Sequence, residues 1–250
     1  MKKILALVLA ALMLVACVAC GTTTDDTTAD NTVTDAPETN APEADDVKVM
    51  TYAEYDAAEL DAPVVIEAYV QATQSWWDNK ITVYTQDKDG AYFIYNMTCS
   101  EEDSAKLVPG TKIRVTGFKT AWAGEIEVAE GSTFEIVEGA DTYIAEAVDV
   151  TALLGTEDLI KHQNQLVSFK GLTLKAVEYK NGEPGDDIYV KVEKDGAEYD
   201  FCVEVYLTGT DTDVYKAFET LEAGAKVDIE GFLYWYEGVN THITSIKVVE

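Results

Sequence analysis

Four tryptophans, four cysteines and two histidines are the side chains of this 250-residue chain with chemistry to offer beyond simple charge. The histidines lack companions. His162 lies in Leu159-Ile160-Lys161-His162-Gln163, a helical turn with no cysteine or second histidine beside it. His242 sits in the alternating run Thr241-His242-Ile243-Thr244, which predicts a strand residue facing solvent rather than a general base. Asp87-Lys88-Asp89-Gly90 opens like a calcium loop, but no acid stands at the twelfth position, so a hairpin turn is expected instead. Asp186-Asp187 and Asp211-x-Asp213 are acidic pairs that could hold calcium only weakly. With no phosphate-cradling glycine loop, no cysteine–histidine metal spacing and no nucleophile–base pair, the sequence predicts no enzyme, no cofactor and no metal centre. Cys99 and Cys202 lie in apolar, strand-like segments and are expected to be free buried thiols.

The tryptophans group differently. Trp76-Trp77-Asp78-Asn79 sit together, Trp122 precedes Ala123-Gly124, and Tyr234-Trp235-Tyr236 precede Glu237-Gly238. Aromatic faces beside amides and carboxylates suit stacking against sugar rings or apolar peptide side chains. The simpler alternative is that loop tryptophans fold back and plug the ends of small barrels.

Those residues are placed by a duplicated set of elements. Asp87-Lys88-Asp89-Gly90-Ala91 recurs as Glu193-Lys194-Asp195-Gly196-Ala197, each between alternating runs, which signals a hairpin. The segment from Gly110 through Lys112-Ile113-Arg114-Val115 to Gly117-Phe118 recurs from Gly224 through Lys226-Val227-Asp228-Ile229 to Gly231-Phe232. Strands are predicted near 64–71, 81–86, 91–98, 111–117 and 125–129, and again near 165–175, 187–193, 197–206, 225–232 and 240–248. A helix near 101–107, capped by Ser100, and another over 213–222 separate the third and fourth strand of each set. Val83, Phe93, Ile113, Val115, Val227 and Ile229 are the expected core. The predicted domains are 48–139 and 140–250, and the fold class is mainly β. The strand–helix order is that of the OB-fold, a small partly open five-stranded barrel, here in tandem.

The Gly-x-Lys-[Ile/Val]-x-[Val/Ile]-x-Gly strand resembles the fourth strand of such domains. The first copy, with Ala68-Tyr69-Val70, Trp76-Trp77-Asp78-Asn79 and Pro109-Gly110-Thr111, resembles the OB-like modules of Gram-positive surface lipoproteins. The resemblance covers most of 64–250 and implies a fold but no chemistry. OB-folds present ligands to strands two and three and to the flanking 1–2 and 4–5 loops. That geometry nominates Trp76, Trp77, Asp78, Asn79, Tyr84, Tyr95, Trp122, Tyr234, Trp235 and Tyr236 as ligand contacts.

Lys2-Lys3 followed by the apolar run from Ile4 to Val15 reads as an export signal, too short for a spanning helix of roughly 20 residues. Leu14-Val15-Ala16-Cys17 resembles the lipobox of bacterial lipoproteins, which implies lipidation at Cys17, or alternatively at Cys20 before Gly21. Residues 1–20 are then signal and lipobox. Residues 21–47, rich in Thr, Asp and Pro and lacking aromatics and lysine, are a stalk too polar to fold. The implied location is the extracellular face of the cytoplasmic membrane.

Charge narrows the partners. The chain has 46 acidic and 18 basic residues; discounting two signal lysines and eight stalk acids leaves 38 acids against 16 bases, a net of −22, with Arg114 the one arginine. A polyanion is repelled by such a surface, so nucleic acid is disfavoured. The expected role is a membrane-anchored, non-catalytic binding or adaptor module for a glycan or an envelope protein. An OB-type binder of single-stranded nucleic acid outside the cell and a structural spacer are the alternatives.

Overall fold

Val64, Ile66, Ala68 and Val70 point to one side of strand β1 (Pro63–Thr73), and burying that side is what makes the segment a strand. The computed structural model describes residues 48–249; the expected signal, Cys17, Cys20 and the stalk lie outside them. Four strands follow β1: β2 (Lys80–Gln86), β3 (Ala91–Thr98), β4 (Lys112–Trp122) and β5 (Glu125–Val128). They pair in the order β1-β2-β3-β5-β4, and β4 returns to β1 from Pro63↔Phe118 to Tyr69↔Lys112. The sheet is therefore a closed five-stranded barrel with the OB strand order. Its β3–β5 closure is parallel and brief, through Phe93↔Glu127 and Ile94↔Val128. A further strand, β6 (Thr133–Ile136), pairs with β4 alongside β5.

Helix α1 (Tyr52–Ala57) precedes β1 and was not expected. Thr51 and Glu54 form a reciprocal capping box, the Glu54 N–H donating to Thr51 Oγ1 at 3.2 Å and the Thr51 N–H to Glu54 Oε2 at 2.8 Å. At the other end the ammonium of Lys119, 5% exposed, donates to the carbonyls of Tyr55, Asp56 and Ala58 at 3.0, 2.7 and 2.9 Å. Three carbonyls and the Tyr55 ring, 5.2 Å away, replace the water this charge has lost. Tyr55 packs edge-on against Tyr92 at 4.9 Å and helps fill the barrel.

The second half opens with β7 (Val148–Asp149) and two 3-10 turns, Thr151–Leu153 and Leu159–His162. It continues through β8 (Leu166–Tyr179), β9 (Ile188–Lys194), β10 (Ala197–Val203), β11 (Lys226–Phe232) and β12 (His242–Val249). These form a second sheet ordered β11-β12-β10-β9-β8-β7, in which β11 also pairs with β8. β10 meets β12 through one parallel pair, Cys202↔His242.

The repeat shows in matched bonds at the entry to β4 and β11. Gly110 N–H donates to Val70 O and Gly224 N–H to Leu174 O, both at 2.8 Å, and both glycines hold positive φ (91° and 95°). The hairpins differ, however. Asp195 (φ 53°) and Gly196 (φ 84°) make a two-residue turn between paired Lys194 and Ala197, as a type I′ reversal requires. Asp87–Gly90 is a four-residue loop in which Asp87 Oδ1 accepts from the N–H groups of Asp89 and Gly90 at 2.7 and 2.9 Å.

Between the third and fourth strands of the first half lies α2 (Glu101–Ser104), shorter than the predicted 101–107 and capped by Ser100. In the second half, α3 (Val205–Thr208) and α4 (Asp213–Ala217) occupy the interval. The predicted strand 197–206 stops at Val203, because the Glu204 carboxylate accepts the N–H groups of Tyr206 and Leu207 and starts α3. Cys99 and Cys202 are free and buried.

Each half has its own apolar core, with Val83, Ile113 and Val115 in one and Val227 and Ile229 in the other. A third cluster joins the halves: Tyr84 and Phe93 from the barrel against Phe232 from β11, with Leu166, Leu207 and Tyr234 at its margin.

Gly231 bears on that junction, since a Cβ there would lie 2.2 Å from the His242 carbonyl oxygen. Gly231→Ala is expected to lower stability by about 2–3 kcal/mol in urea unfolding through overpacking. Gly182→Ala, at φ 78° in open space, should cost only about 1 kcal/mol.

Candidate functional site

The outer face of β2 and β3 is the surface on which a ligand was expected, and the second half covers it. Tyr84 stacks on Phe232 with ring centroids 4.5 Å apart and planes 24° apart, and Tyr234 stacks on His242 at 4.2 Å and 22°. Phe93 meets both Tyr84 and Tyr234 edge-on, at 5.1 and 5.2 Å. Tyr84 is 1% exposed and His242 7%, so the predicted solvent-facing His242 is instead an interior residue. Burial lifts the Tyr84 phenol well above its usual pKa and pushes His242 down to about 3. The phenol therefore keeps its proton and shares a 2.6 Å hydrogen bond with Nδ1 of the neutral imidazole. Gln74 Nε2 completes the chain by donating to Tyr84 Oη at 3.2 Å.

Hydrogen bonds ring this aromatic contact. Trp235 N–H donates to Glu125 Oε2 at 2.8 Å, and Gln163 Nε2 donates to the same oxygen and to Gly124 O, both at 3.0 Å. Asn164 Nδ2 donates to Ile126 O at 3.0 Å, so two amides from the second half cap carbonyls in β5 and in the turn just before it. Leu166 N–H donates to Gln86 Oε1 at 2.8 Å and Glu237 N–H to Ala123 O at 2.7 Å. Gly124 is needed where it stands, because a Cβ would sit 2.7 Å from the Trp235 ring. Burial raises Glu125 to about 9 against the hydrogen bond from Trp235, and raises Glu127 to about 7. Glu204 rises to about 7 for the same reason.

The predicted contacts are thereby dispersed. Trp76 packs on the barrel core and its Nε1–H donates to Cys99 O at 2.8 Å, which makes it a plug. Trp235 packs on the core of the second half, Tyr84 lies buried in the junction and Tyr234 is half-buried at its margin. Asp78 (φ 47°) and Asn79 (φ 58°) are the central pair of a tight reversal closed by Trp77↔Lys80, so their backbones do the turning. Trp77, Tyr95, Trp122 and Tyr236 remain exposed. Trp122 and Tyr236 pair with each other, centroids 5.2 Å apart.

One cleft takes in part of this set. Gln74, Ser75, Trp77, Thr82, Asn96 and Tyr206 line a space of about 360 Å³. Trp77 (59% exposed) comes from the loop between β1 and β2, and Tyr206 (60% exposed) from α3 of the other half. Ser75 N–H donates to Tyr206 O at 2.7 Å, which fixes the two halves of the wall to each other. Gln74 N–H donates to Thr82 O at 2.9 Å, and Asn96, at φ 43°, donates its N–H to Thr82 Oγ1 at 3.2 Å. α3 is held by Glu204 and by Val205 N–H donating to Asp187 Oδ1 at 3.0 Å. Tyr206 escaped sequence reading because the alternation Tyr199-x-Phe201-x-Val203-x-Val205 runs up to it; Gly209, five residues after the Glu204 cap, is the signal that a helical turn intervenes. The lining offers two aromatic surfaces, two amides and three hydroxyls.

No protein-family profile matches this chain, and no curated protein sequence does. Solved structures similar to it include the p204 HINb domain, at 13% identity and a TM-score of 0.35, covering 76% of this chain and 98% of that one. A murine DNA binding protein bound with double-stranded DNA gives 12%, 0.36, 75% and 95% in the same measures. A replication protein A heterotrimer bound to single-stranded DNA gives 11%, 0.33, 78% and 51%. At TM-scores this low the likenesses do not bear on what this chain binds.

The buried carboxyls set a pH dependence. Glu125, Glu127 and Glu204 hold protons in the folded state that the unfolded chain releases above about 4.5, so stability drains away as pH climbs through 7 toward 9. His242 acts oppositely, taking up a proton on unfolding below about 6.5. Three carboxyls outweigh one imidazole, and the thermal midpoint should rise as pH falls from about 9 to about 5. Glu125→Gln should melt higher than the parent at pH 8 and equally at pH 5; a parent midpoint that stays flat over this range contradicts the assignment.

Proposed function

We propose that this chain is an exported lipoprotein, lipid-anchored through Cys17 or Cys20 at the outer face of the cytoplasmic membrane. In this reading two tandem OB-like barrels act there as one rigid, non-catalytic module that binds a glycan or an envelope protein. The circuit β8-β9-β10-β12-β11, returning to β8, supports treating the second sheet as a barrel like the first. Short helices between the third and fourth strands of both halves support the same reading. The N-terminal sequence supports the anchor, and the lack of a reactive constellation in the sequence supports binding without turnover.

The cleft walled by Trp77 and Tyr206 is the observation that carries the function. It is built from both halves and held by the Ser75–Tyr206 hydrogen bond, so its shape exists before any ligand arrives. Single-stranded nucleic acid would find aromatic faces there but no cationic side chain in the lining.

Two measurements test the proposal. An alkyne fatty acid fed to producing cells should label the parent protein, and Cys17→Ser, or failing that Cys20→Ser, should abolish the label; labelling that survives both changes removes the anchor. The full chain should co-sediment with isolated cell wall freed of membrane, and the Trp77→Ala/Tyr206→Ala double variant should lose most of that retention at an unchanged melting temperature. Retention that falls steeply with added salt would instead mark a charged ligand.

A further inference from the structure

We infer that the Trp77–Tyr206 cleft is a site for an uncharged sugar ring, with Gln74 and Asn96 reading its hydroxyl or acetamido groups. This rests on the reading of the chain as a binding module and adds the ligand's class.

The lining itself selects. All six side chains, Gln74, Ser75, Trp77, Thr82, Asn96 and Tyr206, are neutral. A phosphate, sulfate or carboxylate polymer would enter without a cation to meet it, inside a surface of net charge −22 that already repels it. A cationic peptide would be drawn to that surface from a distance but would find no carboxylate in the lining to hold it. Glu130, which is hydrogen-bonded to Asn96, is spent on an ion pair with Lys80. What remains unopposed is a neutral polyol.

The polar groups are aimed by bonds already made. Gln74 gives one N–H to Tyr84 Oη at 3.2 Å, which anchors the amide to the buried junction, while its carbonyl oxygen accepts no hydrogen bond among the described residues. Asn96 is pinned through its backbone to Thr82. An anchored amide beside a flat indole matches the two faces of a pyranose, whose C–H bonds stack on an aromatic ring while its hydroxyls turn outward. Volume agrees: about 360 Å³ lies at the small end of the roughly 300–1,000 Å³ typical of ligand sites, enough for a ring or two but not a folded segment.

The test titrates the full chain, followed by tryptophan emission and calorimetry, with four probes: chitotetraose, maltotetraose, poly(glycerol phosphate) and oligodeoxythymidylate. A neutral oligosaccharide is expected to bind with a Kd of about 1 mM or tighter, unchanged between low and high salt. Trp77→Ala and Tyr206→Ala should each weaken it at least tenfold, Trp77→Phe should retain part of it, and Trp122→Ala should leave it alone. Melting temperatures equal to the parent's exclude loss through unfolding. If a charged polymer binds and the cleft variants abolish it, the ligand class is overturned while the binding module stands. Sugar binding that survives the cleft variants and fails in Trp122→Ala overturns the site alone. If no probe binds, the neutral-sugar inference falls; if envelope retention is also absent, the module reading falls with it.

Discussion

A phenol sealed between two β-sheets must find a hydrogen-bond partner, or the structure bears a cost of about 1–3 kcal/mol for the orphaned group. Tyr84 meets that constraint by hydrogen bonding to His242 Nδ1 and accepting from Gln74. Around this bond Phe93, Phe232 and Tyr234 close an apolar contact that belongs to neither half alone. The arrangement elsewhere follows from it. With the face of β2 and β3 occupied, the loops that would flank a ligand there are pushed apart. Trp77 goes to one site with Tyr206, and Trp122 to another with Tyr236.

The polar ring around that contact explains why the halves dock in one way. Apolar surfaces slide, but the carbonyls of Gly124 and Ile126 accept only where the amides of Gln163 and Asn164 fall on them. Glu125 adds an unusual element: it is fully buried, accepts from Trp235 and Gln163 with one oxygen, and leaves Oε1 without a partner. A protonated carboxyl tolerates that position far better than a carboxylate, which is why burial drives its pKa so high.

Much of the strand framework was legible because period-two alternation reports burial of one face. Gly110 and Gly224 marked equivalent strand entries, and both hold the positive φ that glycine permits. Alternation does not say what covers the opposite face. Along Ile81-Thr82-Val83-Tyr84-Thr85-Gln86 every residue is buried, so Thr82, Tyr84 and Gln86, polar enough to pass for a wet face, are interior. His242 was misplaced for the same reason. α1 was missed because six residues show too little periodicity, although Thr51-x-x-Glu54 is a visible capping box. Of the candidate site, Trp77 could be read from the aromatic loop, whereas Tyr206 depended on contact between segments about 130 residues apart, which no local pattern encodes.

The shared junction also changes what counts as the heritable unit. Two copies of a domain ordinarily keep the option of parting, through recombination or proteolysis in the link between them. Here a severed first half would bare Tyr84 and Phe93 to water, and a severed second half Phe232 and Tyr234, each an aromatic patch inviting self-association. The two halves therefore fold best as a pair, because a shortened product would expose an aromatic patch prone to self-association.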